Sequence, residues 1–297
     1  MDIRGLCYVL SAAFMWGIIG IFTKYILKDG VPALEIAFWR AAIAWVLFTS
    51  HAGITKQLRV KTKDLPILLG FGFICVTLFY ASYQLAIRDV GVALAAVLLY
   101  TAPAWVAFLS RMVLGEALSP AKIACVFMTI GGVTCISLGP SIFGNGPLMQ
   151  LDKFGLAAGL VSGLTYALYY IFGKKYLYRY PTPTIFVYAL PFGALFLLPF
   201  VNFAPKTPQT WSLLISMAAI TSYGAFSAYY AGLRRLEATY AAVIATFEPV
   251  VASVMAFTLF GEDFGIWGYG GSVLIIAAVL IVVIGGNSTP KKQTSTD

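Results

Sequence analysis

The chain says the same thing twice. Tyr83 to Glu116 lies without a gap over Tyr229 to Glu262: Tyr83 falls on Tyr229, Arg88 on Arg234, Ala95-Ala96-Val97 on Ala241-Ala242-Val243, Pro103 on Pro249, and Gly115-Glu116 on Gly261-Glu262. A second ungapped block, Gly5 to Leu27, lies over Gly155 to Leu177 and brings Leu10 onto Leu160, Trp16 onto Tyr166 and Lys24 onto Lys174. Repeats of this length settle architecture before any local reading does.

What the repeated units are made of decides where they live. Hydrophobic residues form 60% of the chain and charged residues 11%, against the quarter or so that is usual for a soluble domain. So much apolar surface cannot be hidden from water, and the length accommodates about ten spans of roughly 20 residues. The apolar runs predict spans at residues 5–27, 32–50, 65–87, 92–114, 120–138, 154–176, 182–203, 211–233, 238–260 and 266–285. The expected organisation is a first five-helix repeat over 1–139, a connecting loop over 140–153 and a second five-helix repeat over 154–286, with a polar tail over 287–297. The first apolar run is too long for the core of a signal peptide and lacks a following cleavage site, so it reads as a retained span.

Charge then sets orientation. If the chain starts inside, its inner segments carry Arg4; Lys56, Arg59, Lys61 and Lys63; Arg111 and Lys122; Lys174, Lys175 and Arg179; Arg234 and Arg235; and Lys291 and Lys292. The outer segments carry Lys24, Lys28, Arg88, Lys153 and Lys206, so the bias is fourteen to five and places both termini in the cytoplasm. Topology accounts for the net charge of +8, and no nucleic-acid partner is expected. Five spans per repeat is an odd number, so the second copy starts from the opposite side. The fold class expected is an all-α integral membrane protein of ten transmembrane helices, in two inverted five-helix repeats around a central cavity.

Several chemistries find no support. Cys7, Cys75, Cys125 and Cys135 fall within spans with no paired spacing, which suits small apolar fillers and neither disulfides nor a metal site. The lone histidine, His51, sits at the edge of the second span, where packing suits it better than a proton relay. The sequence has no HExxH, GxSxG or phosphate loop, and no paired carboxylates within a span. Neither an enzyme nor a cofactor is expected.

Two ionisable residues stand near mid-span: Arg40 in the second span and Glu248 in the ninth. Each would cost at least about 2.5–3.5 kcal/mol to expose to hydrocarbon, so both must face protein or a wet cavity, and intramembrane charge defaults to function. Pro249 follows Glu248 and frees the carbonyl of Ala245; Pro103 frees that of Leu99 in the matching span. A packing kink is one reading; a hinge or gate in the cavity wall is the other. Glu116 and Glu262 follow helix-ending glycines and read as interfacial carboxylates rather than site residues.

Aromatics complete the candidate set. Tyr80, Tyr83 and Gln84 share a helix face by i, i+3, i+4 spacing, and the repeat sets Phe226, Tyr229 and Tyr230 opposite them. Trp16 matches Tyr166, whose face Tyr169 and Tyr170 extend, and Tyr100 lies near the fourth-span proline. Hydroxyls at mid-span need partners. A polar cavity supplies them, and packed helix–helix contacts would also do so. The expected substrate-binding set is Trp16, Tyr80, Tyr83, Gln84, Tyr100, Tyr166, Phe226, Tyr229, Tyr230 and Glu248.

These residues carry a resemblance. Arg40 within FWRAAIAWVLF, Pro103 and Glu116 within AAVLLYTAPAWVAFLSRMVLGEALS, and Glu248, Pro249 and Glu262 within AAVIATFEPVVASVMAFTLFGED resemble the drug/metabolite transporter superfamily. The likeness is to its ten-span, EamA-type branch of bacterial metabolite exporters and extends over almost the whole chain. It implies inverted repeats around a central cavity, alternating access, and the bacterial inner membrane. Among subgroups the aromatic amino-acid exporters known as YddG fit best, although Ala102-Pro103 stands where a tryptophan is expected beside the proline.

The expected function is therefore export of small amphipathic metabolites, amino acids foremost, with the lipid bilayer as solvent and a monomer as the working unit. Lipophilic cations suit an aromatic cavity too. Sugar phosphates call for several cations, and Arg40 is the one at mid-span. A channel or receptor is the alternative of a different class.

Overall fold

The computed structural model describes residues 2–143, 152–261 and 265–285. Nine helical runs among them are long and apolar enough to cross a membrane. One of these, Thr62–Leu99, joins one crossing to the start of the next, because Gly91 turns the chain at φ 83°, a conformation open to glycine. The ten spans are Ile3–Lys28, Ala33–Ile54, 62–90, 92–114, Pro120–Phe143, Lys153–Tyr176, Thr182–Phe200, Pro208–Leu233, Ala238–Phe260 and Gly265–Gly285. We call the side where the first span begins and the tenth ends the terminal face, and the other the far face.

Helix ends depart from the sequence expectation by a few residues, for a local reason. Apolar runs mark what lipid covers, whereas capping carries a helix further. Asp152 accepts from the Gly155 N–H at 2.8 Å and Thr207 from the Thr210 N–H at 3.1 Å, so the sixth and eighth spans start earlier than their apolar runs. The fifth span extends to Phe143, past the expected boundary at 139. The connecting segment 144–151, Glu262 and the tail 287–297 lie outside the described residues.

Glycine contacts show how the two copies are related. A methyl group on Gly5 would lie 2.9 Å from the Arg235 Cβ, and one on Gly155 would lie 2.7 Å from the Asp89 Cβ. The repeat maps Gly5 onto Gly155 and Asp89 onto Arg235, so one docking contact occurs twice. The first occurrence is at the terminal face and the second at the far face, as inversion requires. The fifth and tenth spans cross at their own counterparts: a methyl on Gly132 would lie 2.7 Å from the Gly271 carbonyl oxygen, and one on Gly271 would meet the Gly132 carbonyl. Small residues let such backbones approach without a hydrophobic drive between helices. Outside these seams large apolar side chains, among them Phe127, Val273, Leu280 and Phe108, lie exposed, which makes sense against lipid.

Both third-in-repeat spans share a further irregularity. Phe73–Leu78 and Ala218–Gly224 are π-helical, at repeat-matched positions. Such one-turn bulges turn the following residues about the helix axis, which shifts the face presented by Phe79 onward.

Candidate functional site

Both fourth-in-repeat spans are broken, not merely bent. The helix before Pro103 ends at Leu99 and a new one starts at Ala102; the helix before Pro249 ends at Ala245 and a new one starts at Glu248. Each break falls at the carbonyl that the missing proline N–H leaves free. Threonine hydroxyls bond backbone beside each break: Thr101 donates to the Leu98 carbonyl at 2.6 Å and Thr246 to that of Val243 at 2.5 Å. The second halves begin near the middle of the protein, and Glu248 lies in the first turn of its half-helix, where the dipole favours a negative charge. The first span also breaks, at Ile18 between Gly17 and Ile19.

These breaks surround a cavity of about 210 Å³. Of the residues singled out in the sequence, Trp16, Arg40, Tyr80, Tyr83, Tyr100, Tyr166, Phe226 and Glu248 line it. Ile19, Phe79, Leu99 and Tyr169 complete the wall. Phe79 is what the periodicity missed. The π-turn before it puts Phe79, Tyr80 and Tyr83 on the cavity side, and Gln84 does not line the cavity. The signal available was the run Phe79-Tyr80, read in helical register without the bulge.

Two more expected residues stand elsewhere, because of inversion. Tyr229 is 1% exposed, packed on Trp16 at 5.3 Å and Tyr170 at 5.0 Å between ring centroids. Tyr230 is fully buried; its hydroxyl donates to the Tyr169 carbonyl at 3.1 Å, and its ring lies 5.1 Å from that of Phe186. The third and eighth spans run in opposite directions. From Tyr80 the chain climbs to Tyr83 towards the far face, while from Phe226 it descends to Tyr229 towards the terminal face. Matched residues near the midplane, such as Trp16 and Tyr166, both reach the cavity; matched residues away from it separate. Pro103 and Pro249 stand at the breaks rather than in the lining.

Arg40 and Glu248 come from different repeats and reach the same cavity. Arg40 Nε donates to Ser222 Oγ at 3.4 Å, and Tyr100 lines the same cavity as Glu248. No cluster of three or more metal-ligating side chains occurs among the described residues.

The profile of the EamA-like transporter family matches twice, over residues 3–138 and 153–284. The chain belongs to the EamA-like transporter family. An uncharacterized transporter of Archaeoglobus fulgidus is 31% identical over 276 residues, covering 89% of this chain and 91% of the relative. The inner membrane transporter YicL of Salmonella typhimurium is 24% identical, with 92% and 93% covered. A probable terminal-alkyne amino-acid exporter of Streptantibioticus cattleyicolor is 25% identical, with 79% and 78% covered. A crystal structure that covers 97% of this chain and 99% of its own superposes with a TM-score of 0.83 at 17% identity, which speaks for the fold alone.

In this EamA-like transporter the terminal side of the cavity is sealed. Tyr169 and Phe226 stack at 5.4 Å, Phe226 meets Phe186 at 4.9 Å, and Phe71 stacks on Phe172 at 4.1 Å. Below that aromatic plug the repeats are bolted together by polar contacts. Glu116 accepts from the Ala238 N–H at 2.6 Å and from the Thr239 N–H at 3.3 Å, so it caps the ninth span from the other repeat rather than facing solvent. Ser110 and Thr239 hydroxyls lie 2.9 Å apart, and Lys122 pairs with Glu237. Lys174 donates to the Leu233 and Leu236 carbonyls at 2.6 Å each, which closes the end of the eighth span.

Proposed function

We propose that the protein exports small amphipathic metabolites, amino acids with aromatic or other apolar side chains in particular, by alternating access. The observation that carries this reading is the cavity: about 210 Å³, walled by eight aromatic rings from both repeats, with one cation and one anion in its lining. Aromatic faces offer packing to an apolar side chain and cation–π attraction to an ammonium group. A sugar phosphate would want several cations. The likeness to a relative named as a probable amino-acid exporter supports the same substrate class.

In this reading the terminal face is cytoplasmic, as the fourteen-to-five charge bias indicates, the membrane is the bacterial inner membrane, and the sealed state is the outward-open one. Substrate would leave from the cavity, and the aromatic plug and polar bolts would open as the far face closes. The breaks at Pro103 and Pro249 are the hinges this motion needs, since half-helices can swing without unfolding. The test is counterflow in proteoliposomes with a panel of labelled amino acids, sugar phosphates and organic cations. Saturable exchange of the apolar amino acids is the expected result. Conductance without exchange would make the protein a channel, and exchange confined to cations or phosphates would displace amino acids as the substrate class.

A further inference from the structure

Arg40 and Glu248 oppose each other in one small cavity without neutralising each other. Both line that cavity, yet among the described residues they make no ion pair within 4.0 Å. Arg40 has five N–H donors, and its side chain makes a single hydrogen bond among the described residues, a long one to Ser222 at 3.4 Å. Two opposite, half-buried charges held apart with capacity to spare are costly to maintain for packing alone. Unpaired charges of this kind make sense when something spends part of its time between them.

The chemistry of the gap restricts what that something is. A lone cation would be drawn to Glu248 and repelled by Arg40; a lone anion would meet the reverse. A species that carries a carboxylate and an ammonium on one carbon satisfies both at once and adds no net charge to the membrane interior. Arginine's planar fork accepts a carboxylate through two parallel hydrogen bonds. Tyr100 and Trp16 line the same cavity as Glu248 and offer ring faces to an ammonium, and the rest of the aromatic wall is left for a side chain. Each pole comes from a different repeat, so a bridging substrate would also tie the halves together.

We infer that Arg40 and Glu248 are the two poles of a zwitterion site, Arg40 taking the carboxylate and Glu248 the ammonium of one free α-amino acid. The inference rests on the reading of the cavity as an amino-acid export site and adds a rule to it: both groups must be unblocked.

The test uses labelled phenylalanine in counterflow, with phenylalanine, N-acetylphenylalanine, phenylalanine amide and phenethylamine as competitors. The parent should prefer phenylalanine to each analogue by about tenfold or more, as loss of one charge-assisted contact implies. Arg40→Gln should bring the amide and phenethylamine level with phenylalanine, and Glu248→Gln should do so for N-acetylphenylalanine. A parent that carries phenylalanine but accepts the analogues equally overturns the inference and leaves amino-acid export standing; that measurement needs no variant to fold. Competitor ratios unchanged in both variants, with melting temperatures near the parent's, overturn it likewise. A parent that moves no amino acid at all overturns both readings.

Discussion

The Glu116 carboxylate accepts a hydrogen bond from the backbone N–H of Ala238 at 2.6 Å, across the boundary between the repeats. It thereby holds the start of the broken ninth span against the end of the broken fourth, on the sealed side. Truncation to alanine removes an N-cap worth about 1 kcal/mol and frees three donors that Glu116 now satisfies. Glu116→Ala should weaken the seal and shift the equilibrium about fivefold towards opening at the terminal face. A cysteine at Ser110, buried here beside Thr239, reports this in a background without the native cysteines. Labelling from the terminal side should be faster in the Glu116→Ala background; an equal rate would mean that the cap does not bear on the seal.

Tyr229 and Tyr83 occupy matched positions and should respond differently to loss of the hydroxyl. The Tyr229 hydroxyl is buried with no hydrogen-bond partner among the described residues, so Tyr229→Phe should leave the melting temperature unchanged or raise it, by about 1 kcal/mol of added stability at most. Tyr83 lines the cavity, and Tyr83→Phe should keep the melting temperature and alter which competitors are accepted. Thermal unfolding in detergent and competition profiles at equal abundance separate the two. A clear loss of stability in Tyr229→Phe would reveal a partner for that hydroxyl.

Topology is tested from outside the cell. Arg59 follows the second span on the terminal face and Gln209 begins the eighth on the far face, both exposed. With cytoplasmic termini, Gln209→Cys should react with an impermeant thiol reagent in intact cells and Arg59→Cys should not. The opposite pattern would invert the assignment, and with it the direction in which the cavity faces.

How much of this was legible in the chain differs between fold and site. The repeat, the apolar runs and the two prolines yielded ten spans and the positions of both broken helices, since a missing proline N–H acts on a carbonyl four residues away and nowhere else. The cavity was legible where residues lie at the midplane, as Trp16 and Tyr166 do, because inversion leaves that level unchanged. It was not legible for Tyr229 and Tyr230, which the repeat carried to the sealed side, nor for Phe79 and Gln84, whose exchange depends on the π-turn at Phe73–Leu78. Glu116 reads as an interfacial carboxylate because its partners, Ala238 and Thr239, lie more than a hundred residues away and offer backbone donors, which no side-chain pattern announces.

The prolines give the prediction closest to mechanism. If Pro103 and Pro249 serve as hinges, each alanine variant restores a backbone donor that can bridge the break, a hydrogen bond worth about 1 kcal/mol. Rejoining the helix should therefore leave folded protein as stable as the parent or more so, while it stiffens the element that must move. Turnover in counterflow should fall about tenfold for a barrier increase near 1.4 kcal/mol, with little change in the concentration of half-saturation. Pro249→Ala should act more strongly than Pro103→Ala. It lies beside Glu248, and the ninth span also packs against the first span, where a methyl on Gly17 would meet Val251 at 2.6 Å and the Glu248 carbonyl at 3.0 Å. Parent-like turnover in both variants at matched abundance would reduce the two breaks to packing features. A fall in melting temperature together with turnover would instead show that the open break is needed to fold.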